Sequence, residues 1–580
     1  MMELIPAAIK IMHIETVTNF RVVSLIICVL SSVILSTIVR RRRRLPLPPG
    51  PKSFPFVGYS FGPWSVLERI SLLIFFTPAH KHFVLSYWRQ MEKITEKYGP
   101  VSSVKLGNNK LLVIVGRVQP ALALLEGRSS IYCDRPQLEM AGNIMSGGLR
   151  TLCLPYGDRW KRFRRVLHSQ LDNKAATSYE YQPIQERASR ELILDILESP
   201  KDFNEALTRY AASVIIKITY GRLTPIHHGD EEVVQVIKTL SRFNKAARIG
   251  AHSVDRFPWL QYIPGWVSQG RKWHQEELEL FSSQVDGVRR EINIPGKRER
   301  CFTSYMLERQ KEFSLSDDEA AYLAGEGILK LSGSLYGAGS DTTSSALSVV
   351  IFAAACHPEA AKTVQDQLEN VVGNGRMPTF DDYFELPLVT AFVCETFRWR
   401  PVSAAGACCC LFAIFHRPLT RKTTLGFMHA TVKDDVYEGC FIPAGSWVVG
   451  NHWSIHRDES VFPDPEKFDL NRWLMIDEKS GKSTLRPDMR HFAYGFGRRR
   501  CAGITIADRS MFINTANLLW SFDIKKKKDK DGNVIELDTM GNSTLTAFES
   551  ATNSRPKPFE VDFVPRIPDL RRAIEEMSAS

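Results

Sequence analysis

Residues 22–39 are mostly apolar and carry no charge. As a helix rising ~1.5 Å per residue, this run just crosses a bilayer core of ~30 Å. Arg21 precedes it and Arg40, Arg41, Arg42, Arg43 and Arg44 follow it. The heavier positive flank is expected to stay in the cytosol, which places residues 1–21 in the lumen and the body in the cytosol. A cleaved signal peptide has its charge before the apolar stretch, so the reversed order predicts a retained transmembrane anchor. Residues 40–51 form a basic, proline-rich linker that contains Leu45-Pro46-Leu47-Pro48-Pro49-Gly50-Pro51. Consecutive prolines fix φ and stiffen the chain, so the linker is a spacer, a strut that orients the body, or both.

Past Tyr98 the period of apolar positions alternates between strand and helix. Val101 to Leu106 and Leu111 to Val115 flank Gly107-Asn108-Asn109, which predicts a hairpin. Helical spacing follows over Gly157 to His168, Phe203 to Thr219 and Trp273 to Arg290. Ser316-Asp317-Asp318-Glu319 is a helix start, and apolar positions persist from it to about Cys356. That predicts one helix long enough to cross a domain. Pro358 opens the next helix, and Pro387 to Trp399 gives another that stops before Pro401. Strand-like segments lie between Val436 and Val449, a last helix runs over Ile504 to Leu519, and Asp531-Gly532 marks a late hairpin. There is no internal repeat. The pattern predicts a mostly α protein with a smaller β-rich part, its body a single catalytic domain over 52–580.

Composition narrows the function classes. The chain has 580 residues, 44% hydrophobic and 24% charged, enough for a sizeable core and too apolar for general disorder. The net charge of +11 is concentrated in the arginine run at 40–44 and in Lys525 to Lys528. Such runs suit a solvated face, an anionic membrane or an acidic partner. No zinc-finger spacing, recognition helix or stacking motif accompanies them, so no nucleic acid partner is expected. The 11 cysteines include no C-x-x-C pair, which argues against a disulfide framework and structural zinc.

One cysteine stands apart. Tyr494-Gly495-Phe496-Gly497-Arg498-Arg499-Arg500-Cys501-Ala502-Gly503 lies just before a helix. A lone cysteine is usually a small buried hydrophobe. Here glycines let the backbone wrap a sulfur and aim N–H groups at it, and arginines and a helix N-terminus favour the thiolate. A thiolate beneath a haem iron favours O–O cleavage. Three further groups stand in order along the chain. Glu395 and Arg398, in Glu395-Thr396-Phe397-Arg398, share a helix face, and Arg472 follows downstream. Ala338-Gly339-Ser340-Asp341-Thr342-Thr343 interrupts the long helix with residues that weaken helix interiors. Trp160 and Arg164, four apart, face the same way.

Together these motifs resemble the cytochrome P-450 superfamily over roughly residues 45–565. Gly497, Arg499, Cys501 and Gly503 match its cysteine-loop pattern, with Tyr494 where Phe is usual. The exchange keeps the ring and is expected to shift a hydrogen-bond network rather than lose haem. The resemblance implies a cytochrome P-450 fold and a haem (iron protoporphyrin IX) with Cys501 as axial ligand. It implies haem-binding roles for Tyr494 and Gly497, and propionate contacts from Arg499, Trp160 and Arg164. His429 is a further propionate candidate, although Met428 replaces the usual proline before it. Glu395, Arg398 and Arg472 are assigned to architecture, while Asp341 and Thr342 relay protons during dioxygen activation. Implied partners are O2, a small lipophilic substrate, membrane lipid and an NADPH–cytochrome P-450 reductase, on a single-pass endoplasmic reticulum protein facing the cytosol. Gly325-Glu326-Gly327 sits in a helix signal with no preceding strand, so it is no dinucleotide loop. Pattern details, such as Asn451-His452-Trp453, resemble fungal members of specialised metabolism. An isomerase or dehydratase that needs no dioxygen is the runner-up, and Asp341-Thr342 argues against it.

Residues 407–426 break the pattern. They add about twenty residues, with Cys408-Cys409-Cys410 among them, where relatives pass directly to a Pro-His-like pair. Three adjacent cysteines cannot all face one ion. The expectation is an intron retained in frame, since Gly406-Ala407-Cys408 is encodable by a splice-donor-like GTGCGT, and its translation would disturb His429 and impair haem binding. Residues 61–77 are also long for the family, and Leu72-Leu73-Ile74-Phe75-Phe76 suits contact with a membrane surface.

Overall fold

The computed structural model describes residues 45–52, 87–106, 110–171, 181–222, parts of 235–247, 252–327, 340–404, 428–478, 481–537 and 555–579. The expected anchor at 22–39 and the segments 61–77 and 407–426 lie outside the described residues. Helix α1 (Tyr87–Tyr98) leads into β1 (Val101–Lys105) and β2 (Leu111–Val115). Helices α2 (Asp158–Leu171), α3 (Gln182–Glu198), α4 (Phe203–Tyr220) and α5 (Ser268–Glu291) follow. Then come α6 (Asp317–Gly327), α7 (Ser340–Cys356), α8 (Pro358–Val371) and α9 (Pro387–Trp399). Short strands β3 (His429–Ala430), β4 (Asp435–Tyr437), β5 (Cys440–Ile442), β6 (Trp447–Gly450), β7 (Leu474–Ile476) and β8 (Ser483–Leu485) precede α10 (Ile504–Ser521). A hairpin of β9 (Phe522–Lys526) and β10 (Val561–Pro565) comes near the end.

Helix α7 is apolar all round. Leu347, Val349, Val350, Ile351 and Phe352 point in every direction and are all buried, which requires a central position. It lies against α4 and α10, with α3 packed across both of those. This four-helix core carries the site. The main sheet has the order β1-β2-β6-β3, with β2 parallel to β6 and the other pairs antiparallel. Strand β2 reads LLVIV and is buried throughout, as a central strand should be.

The expected hairpin pairs Val101 with Val115, and α2, α4, α5, α9 and α10 appear within a few residues of their expected spans. The single helix expected from Ser316 to Cys356 is described as its two ends, α6 and α7, with 328–339 outside the described residues. Gly325 does lie inside α6. Its lack of a side chain admits the Phe281 ring, whose nearest atom would be 2.4 Å from an added Cβ. The late turn at Gly532 takes φ +84 but closes only one bridge, Lys528 with Val534. In the lysine run, Lys525, Lys526 and Lys527 pair with Asp523, Glu536 and Glu560. Most of that run is therefore neutralised locally.

The proline-rich segment is stitched onto the body. Phe441 N–H donates to Pro46 at 2.7 Å, Ser103 N–H to Pro49 at 2.8 Å and Ser103 Oγ to Pro48 at 2.6 Å. A Cβ on Gly50 would fall 1.7 Å from the Ser103 carbonyl, so only glycine permits this approach. No single helix among the described residues is long and apolar enough to cross a membrane.

Candidate active site

The cysteine loop folds as its glycines allow. Gly495 and Gly497 both take positive φ, +76 and +52. At Gly497 an added Cβ would meet the Leu125 carbonyl at 2.3 Å, so no other residue fits. Cys501 N–H donates to the Tyr494 carbonyl at 3.0 Å, closing the loop just before α10. Cys501 keeps accessible surface, yet it sits deep enough that burial pushes its thiol up to about 12. The Gly503 N–H and the Arg164 guanidinium oppose the shift. The protein alone therefore favours the thiol, and a cation bound against the sulfur would shift it to the thiolate.

A cationic cradle stands beside the sulfur. Arg499 donates to the carbonyls of Cys133 (2.6 Å) and Leu154 (2.9 Å) and lies 4.4 Å over the ring of buried Trp160. Burial, and then the neighbouring Arg135, hold Arg499 well below the usual guanidinium range. Arg164 donates Nε–H to His168 at 2.7 Å; burial lowers it and the Cys501 sulfur pulls the other way. His429 on β3 is buried, and burial followed by Arg135 depresses its ring to about 3. Its Nδ1–H donates to the Tyr132 carbonyl at 2.7 Å, so in the neutral ring Nε2 is an acceptor, and an anion beside it would favour uptake of a proton there.

Around Arg499 the structure gathers Arg135, Arg164 and His429, with Asp134 a nearby carboxylate that opposes them. Such an excess of buried positive charge fits the carboxylates of a haem.

Arg135 escaped the sequence reading. A two-way backbone bridge, Asp134 with Ala430, sets it beside His429, and its Nη1 donates to the Met428 carbonyl at 2.7 Å. Burial lowers it to about 10. The only local signal is an arginine in the Cys133-Asp134-Arg135-Pro136 turn. Asp508 was missed as well. It accepts the Tyr494 hydroxyl at 2.7 Å, and burial pushes it up to about 6. Tyr494 thus keeps its ring in the loop, and its hydroxyl turns to α10.

The structural triad assembles on α9. Glu395 and Arg398 are fully buried and doubly bonded, at 2.7 and 2.8 Å. Arg472 approaches Glu395 at 3.5 Å. Trp473 Nε1–H and Asp469 N–H supply the remaining donors to Glu395. Arg398 also donates to the carbonyls of His456, Pro465 and Lys467. Thr342 lies half-buried in the first turn of α7, while the Asp341 side chain lies outside the described ones.

A mostly helical body that sets one cysteine at a helix start beside buried guanidiniums defines a haem-thiolate protein. The family model for cytochrome P450 matches residues 73–407 and 419–546. Cytochrome P450 monooxygenase 64 of Postia placenta is 40% identical over 483 residues, covering 83% of this chain and 88% of that protein. Monooxygenase virE of Hypocrea virens is 31% identical over 546 residues (92% and 88%). Monooxygenase verL of Clonostachys rogersoniana is 32% identical over 567 residues (95% and 92%). The chain belongs to the cytochrome P450 family, oxidoreductases that hold haem through a cysteine thiolate. The model passes over 408–418, inside the segment where the sequence pattern breaks.

Proposed function

We propose that the protein is a membrane-bound monooxygenase that inserts one atom of O2 into a lipophilic organic substrate in specialised metabolism. The observation that carries this reading is the Cys501 loop at the start of α10, closed by the Cys501 N–H on the Tyr494 carbonyl at 3.0 Å, with the Arg164 guanidinium acting on the sulfur. Bound haem supplies the oxygen-activating chemistry. Cys501 would hold the iron, while Arg499, Arg164, Trp160 and His429 would hold and orient the propionates, with Arg135 beside them. Thr342 and Asp341 would supply protons to the oxygen chemistry. Exposed Arg498 and Arg500 flank the cysteine and suit an acidic electron donor such as a reductase.

Membrane attachment has support besides the apolar run at 22–39. Trp259, Tyr262 and Trp266 are 60%, 80% and 53% exposed, with Phe257 and Ile263 between and beside them. Arg256, Arg271 and Lys272 border the patch in sequence. Aromatic rings with basic neighbours suit a lipid–water interface. Residues 22–39 then anchor the protein in the endoplasmic reticulum, with the body in the cytosol.

The reduced carbon-monoxide difference spectrum of the full chain is the test. A Soret band at about 450 nm marks thiolate ligation, and Cys501→Ser is expected to abolish it. A band that survives the substitution refutes the ligand assignment. NADPH- and reductase-dependent oxygen uptake with a lipophilic substrate panel separates the monooxygenase from an isomerase, which consumes none.

A further inference from the structure

The cysteine loop of this chain has a partner that the family pattern does not require. Where the pattern has Phe, Tyr494 donates its hydroxyl to Asp508 on α10 at 2.7 Å. Its ring still packs against Phe397 and His491, at 5.6 and 5.3 Å between centroids. Its carbonyl accepts the Cys501 N–H at 3.0 Å. Tyr494, Cys501 and Asp508 therefore close a ring of contacts, through one backbone bond, the start of α10 and one side-chain bond. Asp508 and Cys501 thus share Tyr494 as a common partner, the carboxylate on its hydroxyl and the Cys501 N–H on its carbonyl. Burial raises the Asp508 carboxyl to about 6, and the Tyr494 hydroxyl, then Arg500 and Arg509, support its charge against that.

We propose that Asp508 is a positioning residue for Cys501: held by the Tyr494 hydroxyl, its carboxylate sets a negative charge near the sulfur and strengthens electron donation to the haem iron. This rests on Cys501 being the ligand. Near a ligand sulfur, negative charge favours the ferric over the ferrous state and lowers the reduction potential. Asp508→Asn removes the charge and keeps an acceptor for the tyrosine hydroxyl. Tyr494→Phe restores the usual ring and removes the hydrogen bond that supports the charge.

The experiment is redox titration of the haem-loaded full chain, with the carbon-monoxide spectrum taken in parallel. Asp508→Asn is expected to move the midpoint potential to a more positive value with the ~450 nm band retained. Tyr494→Phe should move it the same way, and the double variant no further than the larger single change, because the two residues act as one unit. An unchanged potential in Asp508→Asn with the band intact overturns the inference and leaves Cys501 as ligand. No band in the unsubstituted protein overturns both. If Asp508→Asn loses haem, Tyr494→Phe decides, and a potential that stays or falls refutes the proposal.

Discussion

Glu395 and Arg398 are fully buried, so their charges survive only because every oxygen and most N–H groups find partners. Removing one side of such a pair strands the other. Glu395→Gln is expected to lower unfolding stability by about 3–5 kcal/mol, read by urea denaturation of the haem-loaded protein. The buried histidines set a second test. Burial is the first cause in each case and holds His357 and His452 down to about 4, and His429 and His491 to about 3. The unfolded chain takes up these protons near the ordinary value of 6.5 and the folded chain does not. Their contribution is full above 6.5 and is lost as pH falls toward 4 to 3. Asp255 and Asp508, raised to about 6, act oppositely over part of that window, as do Glu92 and Glu186, but these histidines, together with His456, which is held down as well, outweigh them. The denaturation midpoint should therefore drop between pH 6.5 and 4, and a flat profile refutes this. Glu395 and Arg398 were legible in the sequence because three residues on one helix define their pairing. Arg135 was not, because its place depends on a bridge to β3, far downstream.

Elements with one strong period were legible: β2 by its unbroken apolar run, α9 by its proline start and stop. Short strands such as β3 were not, because two residues carry no period and are held by pairing to β6. The exposed stretch from Phe257 to Trp266 illustrates a different limit. An apolar run in sequence does not say whether its side chains face the core or solvent, and here several point outward, as the turn of Pro258–Tyr262 sets them. With Trp259, Tyr262 and Trp266 all changed to Ser, binding of the chain lacking residues 1–44 to anionic vesicles should fall several-fold, while the carbon-monoxide spectrum stays intact. Undiminished co-sedimentation would assign membrane contact elsewhere.

For the whole molecule, the family model and the sequence pattern break at the same place, over 408–418. The helical core and the cysteine loop were readable from motifs in order, and the segment was visible as a break in them, whereas whether it is spliced out is a property of the transcript and not of the folded chain. Sequencing transcripts across the region is expected to find a spliced form that lacks it, and a deletion of the extra residues should bind more haem per chain than the full sequence. If every transcript keeps the segment, the intron reading fails. The stitching of Pro46, Pro48 and Pro49 to Ser103 and Phe441 has its own consequence at this scale. The chain leaves the body from a fixed point, with only Leu45 between the arginine run and the first stitch at Pro46. No slack lies between them, so any pull on the basic segment passes directly into β1 and β5 rather than being absorbed by a free leash.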